Sequence, residues 1–392
     1  MKIGIITYVK CDNYGAELQA YALQYKLNSM GFDAEVLDLE KQNKKMAGSL
    51  HTVKTSIKNR YKQFGFFKGT IAVCQLIRRK FQESQSNKKH IYDIQEKHKL
   101  FTDFFNLYIK HSTKYYTLKD LYQVDMPYDV FVAGSDQIWN YMQTDFLDIY
   151  FLQFANRLHA KKISYAGSFS VGEIPDSLKG VYKSLINNLE FISVRELNAQ
   201  NIVKECSGRN AEVVLDPTLL LNKQEWKDNV ACNKIFCQKK YVVIYTLSGS
   251  RYIYTLAKEI AKEMNAEVIN IKNGFSRIKG DEDIIHLYNI GPREFISLFD
   301  KAAYVITDSF HGTAFSINFN IPFTTLLNPS SNMNSRVLSI LKITKLESRI
   351  LYDRGDREVP GSLIVDFSHV NQIISDWRLK SINFLINSLS SK

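Results

Sequence analysis

Residues 2–39 confine the chain to an α/β fold. KIGIITY (2–8) is a strand with apolar side chains on both faces, CDNYG turns the chain, residues 16–30 keep helical spacing and stop at Gly31, and AEVLDL (34–39) is a second strand. Strand, helix and strand in that order make a βαβ unit with two parallel strands. The rhythm breaks over residues 41–125, a basic and mostly helical insertion. It returns with YDVFVAGSDQIW (128–139), KKISYAGSF (161–169), FISVRE (191–196) and AEVVLDPTLL (211–220). A second series starts near Gln238 with YVVIYTL (241–247), a helix at 251–265, EVINI (267–271), a helix after Pro292, AAYVIT (302–307) and IPFTTLL (321–327). Two Rossmann-like domains facing a cleft are expected, residues 1–222 and 238–366. Residues 367–392 are expected to form a helix that packs back across both. The first turn carries only Gly15 and lacks G-x-G-x-x-G, so nothing marks a dinucleotide site.

At 392 residues the chain is too long for a single core and suits two domains. No apolar run reaches the roughly 18 residues of a membrane span, and the N-terminus lacks the pattern of a signal peptide, which predicts a cytoplasmic protein. The five cysteines (Cys11, Cys74, Cys206, Cys232 and Cys237) are scattered, and no paired spacing suggests zinc. Reduced thiols and no bound metal are expected. The net charge is +11, but residues 41–110 hold 16 Lys/Arg against four acids, so the basic excess is local. It points to an anionic partner beside that segment, a membrane surface or a nucleic acid.

The chemistry-bearing residues collect where strands end. Val305-Ile-Thr-Asp-Ser-Phe-His-Gly-Thr runs a buried strand into a helix capped by Asp308 or Ser309. A helix start beyond a strand's carboxyl end is an anion site in such folds, with His311 beside it and Gly312 admitting a close backbone approach. Arg195 ends the strand FISV, a costly place for a guanidinium unless Glu196, Asp216 or a bound anion offsets its charge. Gly134-Ser135-Asp136-Gln137 ends another strand; Asp136 is either a base for a hydroxyl or a cap. Asn13 and Gly15 lie at the mouth of the first turn, where Asn13 and Gln19 could reach sugar hydroxyls. Trp139 is either a sugar-stacking face or core.

The ordered set NYGAELQAYAL, YDVFVAGSDQIWN, ISYAGSF, ISVRE, VVLDPTLLL, YVITDSFHGTAFSI and NSRVLSIL resembles the polysaccharide pyruvyl transferase family over nearly the whole chain. The resemblance implies a fold similar to GT-B glycosyltransferases. It also implies transfer of a pyruvyl group from phosphoenolpyruvate to sugar hydroxyls as a ketal, with phosphoenolpyruvate as co-substrate and no cofactor. His311, Arg195 and Asp136 would then be catalytic. Asp308, Ser309, Gly312, Arg336, Asn13, Gly15, Ser135 and Gln137 would bind substrates, with Glu196 and Asp216 in support. Other branches carry Arg two positions before the histidine, where this chain has Ser309, and Arg336 in NSRVLSIL is the candidate replacement. A GT-B glycosyltransferase using a nucleotide sugar, or a non-catalytic glycan- or nucleic-acid-binding protein, would share several of these features.

The acceptor expected from the resemblance is a glycan precursor, carried on polyprenyl pyrophosphate at the inner face of the membrane, with no nucleic acid involved. Phe64, Phe67, Ile71, Cys74 and Phe81 fall at helical spacing beside Arg78-Arg79-Lys80, as an interfacial helix requires; a helix packing that stripe on its own domain would show the same pattern. Each cation near an anionic surface contributes about 1 kcal/mol, so the segment could hold the protein there reversibly at low salt. Co-sedimentation with anionic vesicles, lost with neutral lipid and reversed by salt, is the expected outcome. Equal recovery with both lipids, or none with either, would leave the stripe as ordinary packing.

Overall fold

The computed structural model describes residues 1–40, 90–144, 146–248, 250–272, 281–329, 334–353 and 362–391. The residues proposed above for an interfacial helix (64–81) lie outside that set. Seven parallel strands form the first sheet: β1 (Lys2–Ile6), β2 (Asp33–Leu39), β3 (His111–Tyr116), β4 (Val130–Ala133), β5 (Lys161–Gly167), β6 (Phe191–Val194) and β7 (Glu212–Val213), in spatial order β3-β2-β1-β4-β5-β6-β7. Six parallel strands form the second: β8 (Tyr241–Tyr245), β9 (Glu267–Ile271), β10 (Ile285–Leu287), β11 (Tyr304–Thr307), β12 (Phe323–Leu327) and β13 (Ile350–Tyr352), in order β10-β9-β8-β11-β12-β13. Each sheet starts in the middle, runs to one edge, and returns to build the other. This is the Rossmann order, and its reversal opens a crevice at the carboxyl ends of β1 and β4 and of β8 and β11. The central strands are buried on both faces, which is why KIGII, VFVA, YVVIY and YVIT read as nearly continuous apolar runs.

One expectation is corrected here. The insertion does not extend to residue 125, because His111–Tyr116 pairs in parallel with β2 as the edge strand of the first sheet. HSTKYY has no apolar run because an edge strand with exposed positions needs few apolar side chains. The helix before it (Ile91–Tyr108) packs Phe101 and Phe104 on Tyr14 and Tyr21 and also touches the second domain, where Glu96 accepts from Asn289 and the capping residue His90 stacks on Tyr288.

The two domains are docked through one continuous core. It joins Ile3 and Ile5 of β1 to Val305 of β11, to Phe310, Phe315 and Phe319 of the helix Phe310–Phe319, and to Phe384 of the C-terminal helix (Ser368–Ser390). Every residue of the helix Phe310–Phe319 is buried, because it has the second sheet on one side and the first domain on the other. Asn318 donates from Nδ2 to the carbonyls of Thr218 (3.0 Å) and Leu221 (2.8 Å). The C-terminal helix ties both halves: Ser381 Oγ accepts from Leu215 N, and Arg378 donates to the Leu219 carbonyl and to Asn318 Oδ1. Cys11, Cys206, Cys232 and Cys237 are free thiols. Among the described residues no helix is long and apolar enough to cross a membrane.

The first helix (Tyr14–Ser29) begins at the crevice, with Asn13 Oδ1 accepting from Gly15 N (3.0 Å) and Ala16 N (3.3 Å). Glu17 is wholly buried and accepts from Cys11 N at 3.1 Å, clamping the turn that leads into the helix. Burial pushes its carboxyl from an ordinary 4.5 up to about 8, against the lowering effect of the Cys11 and Lys10 amides. A raised folded-state value means the proton is held more tightly in the folded protein. The associated stability is full below about pH 4.5 and is lost as pH rises through about 8. Glu17→Gln stays neutral and still accepts from Cys11. Its stability relative to the parent, measured by urea unfolding, should therefore climb between pH 5 and pH 9, and a pH-independent difference would refute the assignment.

Candidate active site

Arg195 follows β6 and is almost fully buried, with 2% of its side chain exposed. Its Nη1 donates to Asp216 Oδ2 at 2.7 Å. Asp136 Oδ1 lies 3.8 Å from Nη2, and Glu196 Oε1 lies 3.9 Å from Nε. Neither distance is a hydrogen bond, and Nε and Nη2 are buried with no hydrogen-bond partner. The pairing anticipated with Asp216 is therefore present and still leaves an N–H edge unused.

Asp216 is the fixed point of this cluster. Its Oδ1 accepts from Thr218 N (3.0 Å) and Thr218 Oγ1 (2.7 Å), and its Oδ2 accepts from Ser135 Oγ (2.8 Å) as well as from Arg195. Burial alone would raise its carboxyl, but the Arg195 charge and these donors hold it below the ordinary range. Burial pushes the neighbouring Glu196 up, while Arg195 and the hydroxyl of Ser168, which donates to it, pull the other way.

The second domain supplies the opposite wall. Ser309 caps the helix Phe310–Phe319 by accepting from Gly312 N at 3.5 Å. Phe310 packs against Arg195, with the guanidinium carbon over its ring, 4.3 Å from the centroid. His311 Nε2 sits 3.9 Å from Asp216 Oδ2 with no hydrogen-bond partner. Burial first, then the charges of Arg195 and Arg336, hold the imidazole below its ordinary value, outweighing Asp216 and Asp136, which favours its neutral form. Arg336 opens the helix Ser335–Thr344 in partial burial; its Nε is buried and unpartnered, and desolvation followed by Arg195 pushes it down to about 10. It remains a cation in electrostatic range of Arg195, Glu196 and His311.

Other residues singled out from sequence have different surroundings. Asp308 is engaged by the loop after β8, accepting from Thr246 Oγ1 and the amides of Leu247 and Ser248, so it fastens that loop. The close approach at Gly312 is to Thr307, whose Oγ1 would lie 2.2 Å from an added Cβ. Asn13 is a helix cap, and Gln19 is buried, donating to Thr7 Oγ1 and the Ala16 carbonyl. Trp139 is core: it is 0% exposed and stacked on Phe151. Gln137 Oε1 accepts from Asn140, and Ser135 serves Asp216. His311 is buried between the domains, 6% exposed, rather than lying on a cleft surface. Asp136 lies beside Arg195, with φ at +77°, a backbone conformation rarely adopted by a residue with a side chain. Phe310 and Thr218 were missed: Phe310 gains its role from Arg195 in the other domain, whereas Thr218 holds Asp216 from only two residues away, a local Asp-x-Thr signal that went unread. Among the described residues no group of three or more His, Cys, Asp or Glu could hold a metal ion.

No curated protein matches the chain. Solved structures with similar overall shape include a UDP-N-acetylglucosamine 2-epimerase of Listeria monocytogenes, described as putative (9% identity over 98% of this chain and 88% of that one, TM-score 0.47). The UDP-GlcNAc 2-epimerase of Methanocaldococcus jannaschii (12%, 99% and 93%, TM-score 0.44) and a glycosyltransferase of Rickettsia africae (11%, 99% and 96%, TM-score 0.44) are also similar. The family model described as polysaccharide pyruvyl transferase matches residues 13–331, most of the chain and both walls of the site short of Arg336. The chain belongs to the polysaccharide pyruvyl transferase family.

Proposed function

We propose that the protein transfers a pyruvyl group from phosphoenolpyruvate to two hydroxyls of a bacterial-type surface polysaccharide precursor, forming a ketal. One observation carries the reading: Arg195, Arg336 and His311 bring buried, unpartnered nitrogens from both domains to the carboxyl ends of the strands. An N–H edge left unpaired away from water is costly, and a small anion carrying both a carboxylate and a phosphate would satisfy it. Ser309 is engaged as a cap, so the cation beyond Arg195 comes from Arg336.

In this scheme the donor's methylene carbon takes a proton and its central carbon becomes oxocarbenium-like. The first hydroxyl adds there, the carbon–oxygen bond to phosphate breaks, and the second hydroxyl closes the ketal. Of the two hydroxyl protons, one is balanced by the new methyl group and the other by the departing phosphate. Arg195 and Arg336 hold the donor's two anionic groups and stabilise the leaving phosphate. His311 first takes a proton at Nε2 and then, as imidazolium, hands it on to the donor, while Asp136 accepts the proton of an attacking hydroxyl. The proposal extends to a polyprenyl-pyrophosphate-linked acceptor and a peripheral contact with anionic membrane through residues 41–110. Within the described part, Lys97 lies over the Tyr14 ring and Lys99 pairs with Asp103, so the cations free for a surface would come from elsewhere in the segment.

Phosphate release from phosphoenolpyruvate across a panel of lipid-linked and aryl glycosides tests the reading. Arg195→Lys keeps the charge and loses the planar fork, and kcat/KM for phosphoenolpyruvate should fall about 10²-fold or more. His311→Ala should lower kcat by roughly 10²–10⁴-fold if the ring moves a proton, and mainly raise KM if it only binds phosphate. Near-normal kinetics in both variants, or release of nucleotide from a sugar nucleotide with no turnover of phosphoenolpyruvate, would overturn it.

A further inference from the structure

Gly15 is the third residue of the sequence Asn13-Tyr14-Gly15 that opens the first helix, and its backbone is not of the positive-φ kind that only glycine tolerates. Glycine also weakens a helix relative to alanine, so neither backbone freedom nor propensity accounts for it. Space does. A Cβ at position 15 would lie 1.9 Å from His311 Nδ1, 2.4 Å from Cε1 and 2.5 Å from Cγ, all far inside van der Waals contact. The ring cannot yield easily. Phe310 packs against it near-perpendicularly, at 5.1 Å between centroids and 81° between planes, and Phe310 is itself pressed on Arg195.

We propose that Gly15 is a positioning residue for His311: the missing side chain is a seat, built on the first domain, that holds the imidazole of the second. Tyr14, one residue earlier, fixes that seat across the same boundary by donating to the Ile290 carbonyl (3.0 Å) and stacking on Phe295 (4.7 Å). With Nδ1 against the first helix, Nε2 is aimed at Asp216 and stays beside Asp136, Arg195 and Arg336. The position of the histidine is therefore set by the docking of the domains. The catalytic consequence rests on the pyruvyl-transfer reading; the seat itself does not.

Gly15→Ala tests this alone and combined with His311→Ala. In the parent background the added methyl should displace the ring and cut kcat about 10²-fold, the cost of roughly an ångström of misplacement. In the His311→Ala background it should cost no further activity, because the ring it displaces is gone. Ring NMR of the full-length protein should show His311 titrating below an ordinary histidine in the parent and shifting upward in Gly15→Ala. Should the single variant fail to fold, the double variant should recover thermal stability. Equal losses of activity or stability in both backgrounds, or an unmoved His311 titration, would overturn the proposal. If the parent releases no phosphate from phosphoenolpyruvate, the reaction reading fails, while the titration and the stability comparison still decide the seat.

Discussion

A single buried guanidinium organises the site. Arg195 lies at the end of β6 with three carboxylates within 4 Å, yet only Asp216 is at hydrogen-bonding distance. Asp216 can hold that position because Thr218 and Ser135 fill its remaining acceptor sites. A buried ion pair of this kind contributes little net stability, since desolvating both charges offsets most of their attraction. What it provides is aim: the guanidinium plane is pinned at one edge by Asp216 and on one face by Phe310, and Nε and Nη2 remain for an anion.

Two sheets with the same strand order explain why the residues meet. Each sheet reverses direction once, and loops at the reversal points diverge to leave a crevice. The first sheet places Gly15 and Asp136 beyond β1 and β4, and the second places Phe310 and His311 beyond β11. A continuous core and the C-terminal helix hold the two crevices face to face. The site is thus a property of the docked pair. Neither domain alone has both the arginine cluster and the histidine.

The central strands were legible in sequence because parallel strands buried on both faces read as apolar runs, as in YVVIY and YVIT. Edge strand HSTKYY was not, since its exposed positions remove the apolar signal, and it was absorbed into the insertion. At the site, Arg195 and His311 stood out because a guanidinium at a buried strand end and a histidine at a helix start are uncommon placements. The surroundings of their neighbours did not follow from local sequence. Asp308 looked like a cap or a ligand, but its partners are backbone amides some sixty positions away, at Leu247 and Ser248. Trp139 looked equally fit for sugar or core until Phe151 was found stacked upon it. Gly15 drew attention as a turn residue, whereas its meaning lies in the other domain.

The central claim is that unpartnered nitrogens from both domains form a seat for a small anion with a carboxylate and a phosphate. Calorimetric titration of the intact protein with phosphoenolpyruvate, alongside a nucleotide sugar, addresses it most directly. The account predicts one-to-one binding of phosphoenolpyruvate that weakens as inorganic phosphate is added and as salt is raised. Saturable binding of the nucleotide sugar with no heat from phosphoenolpyruvate would contradict it.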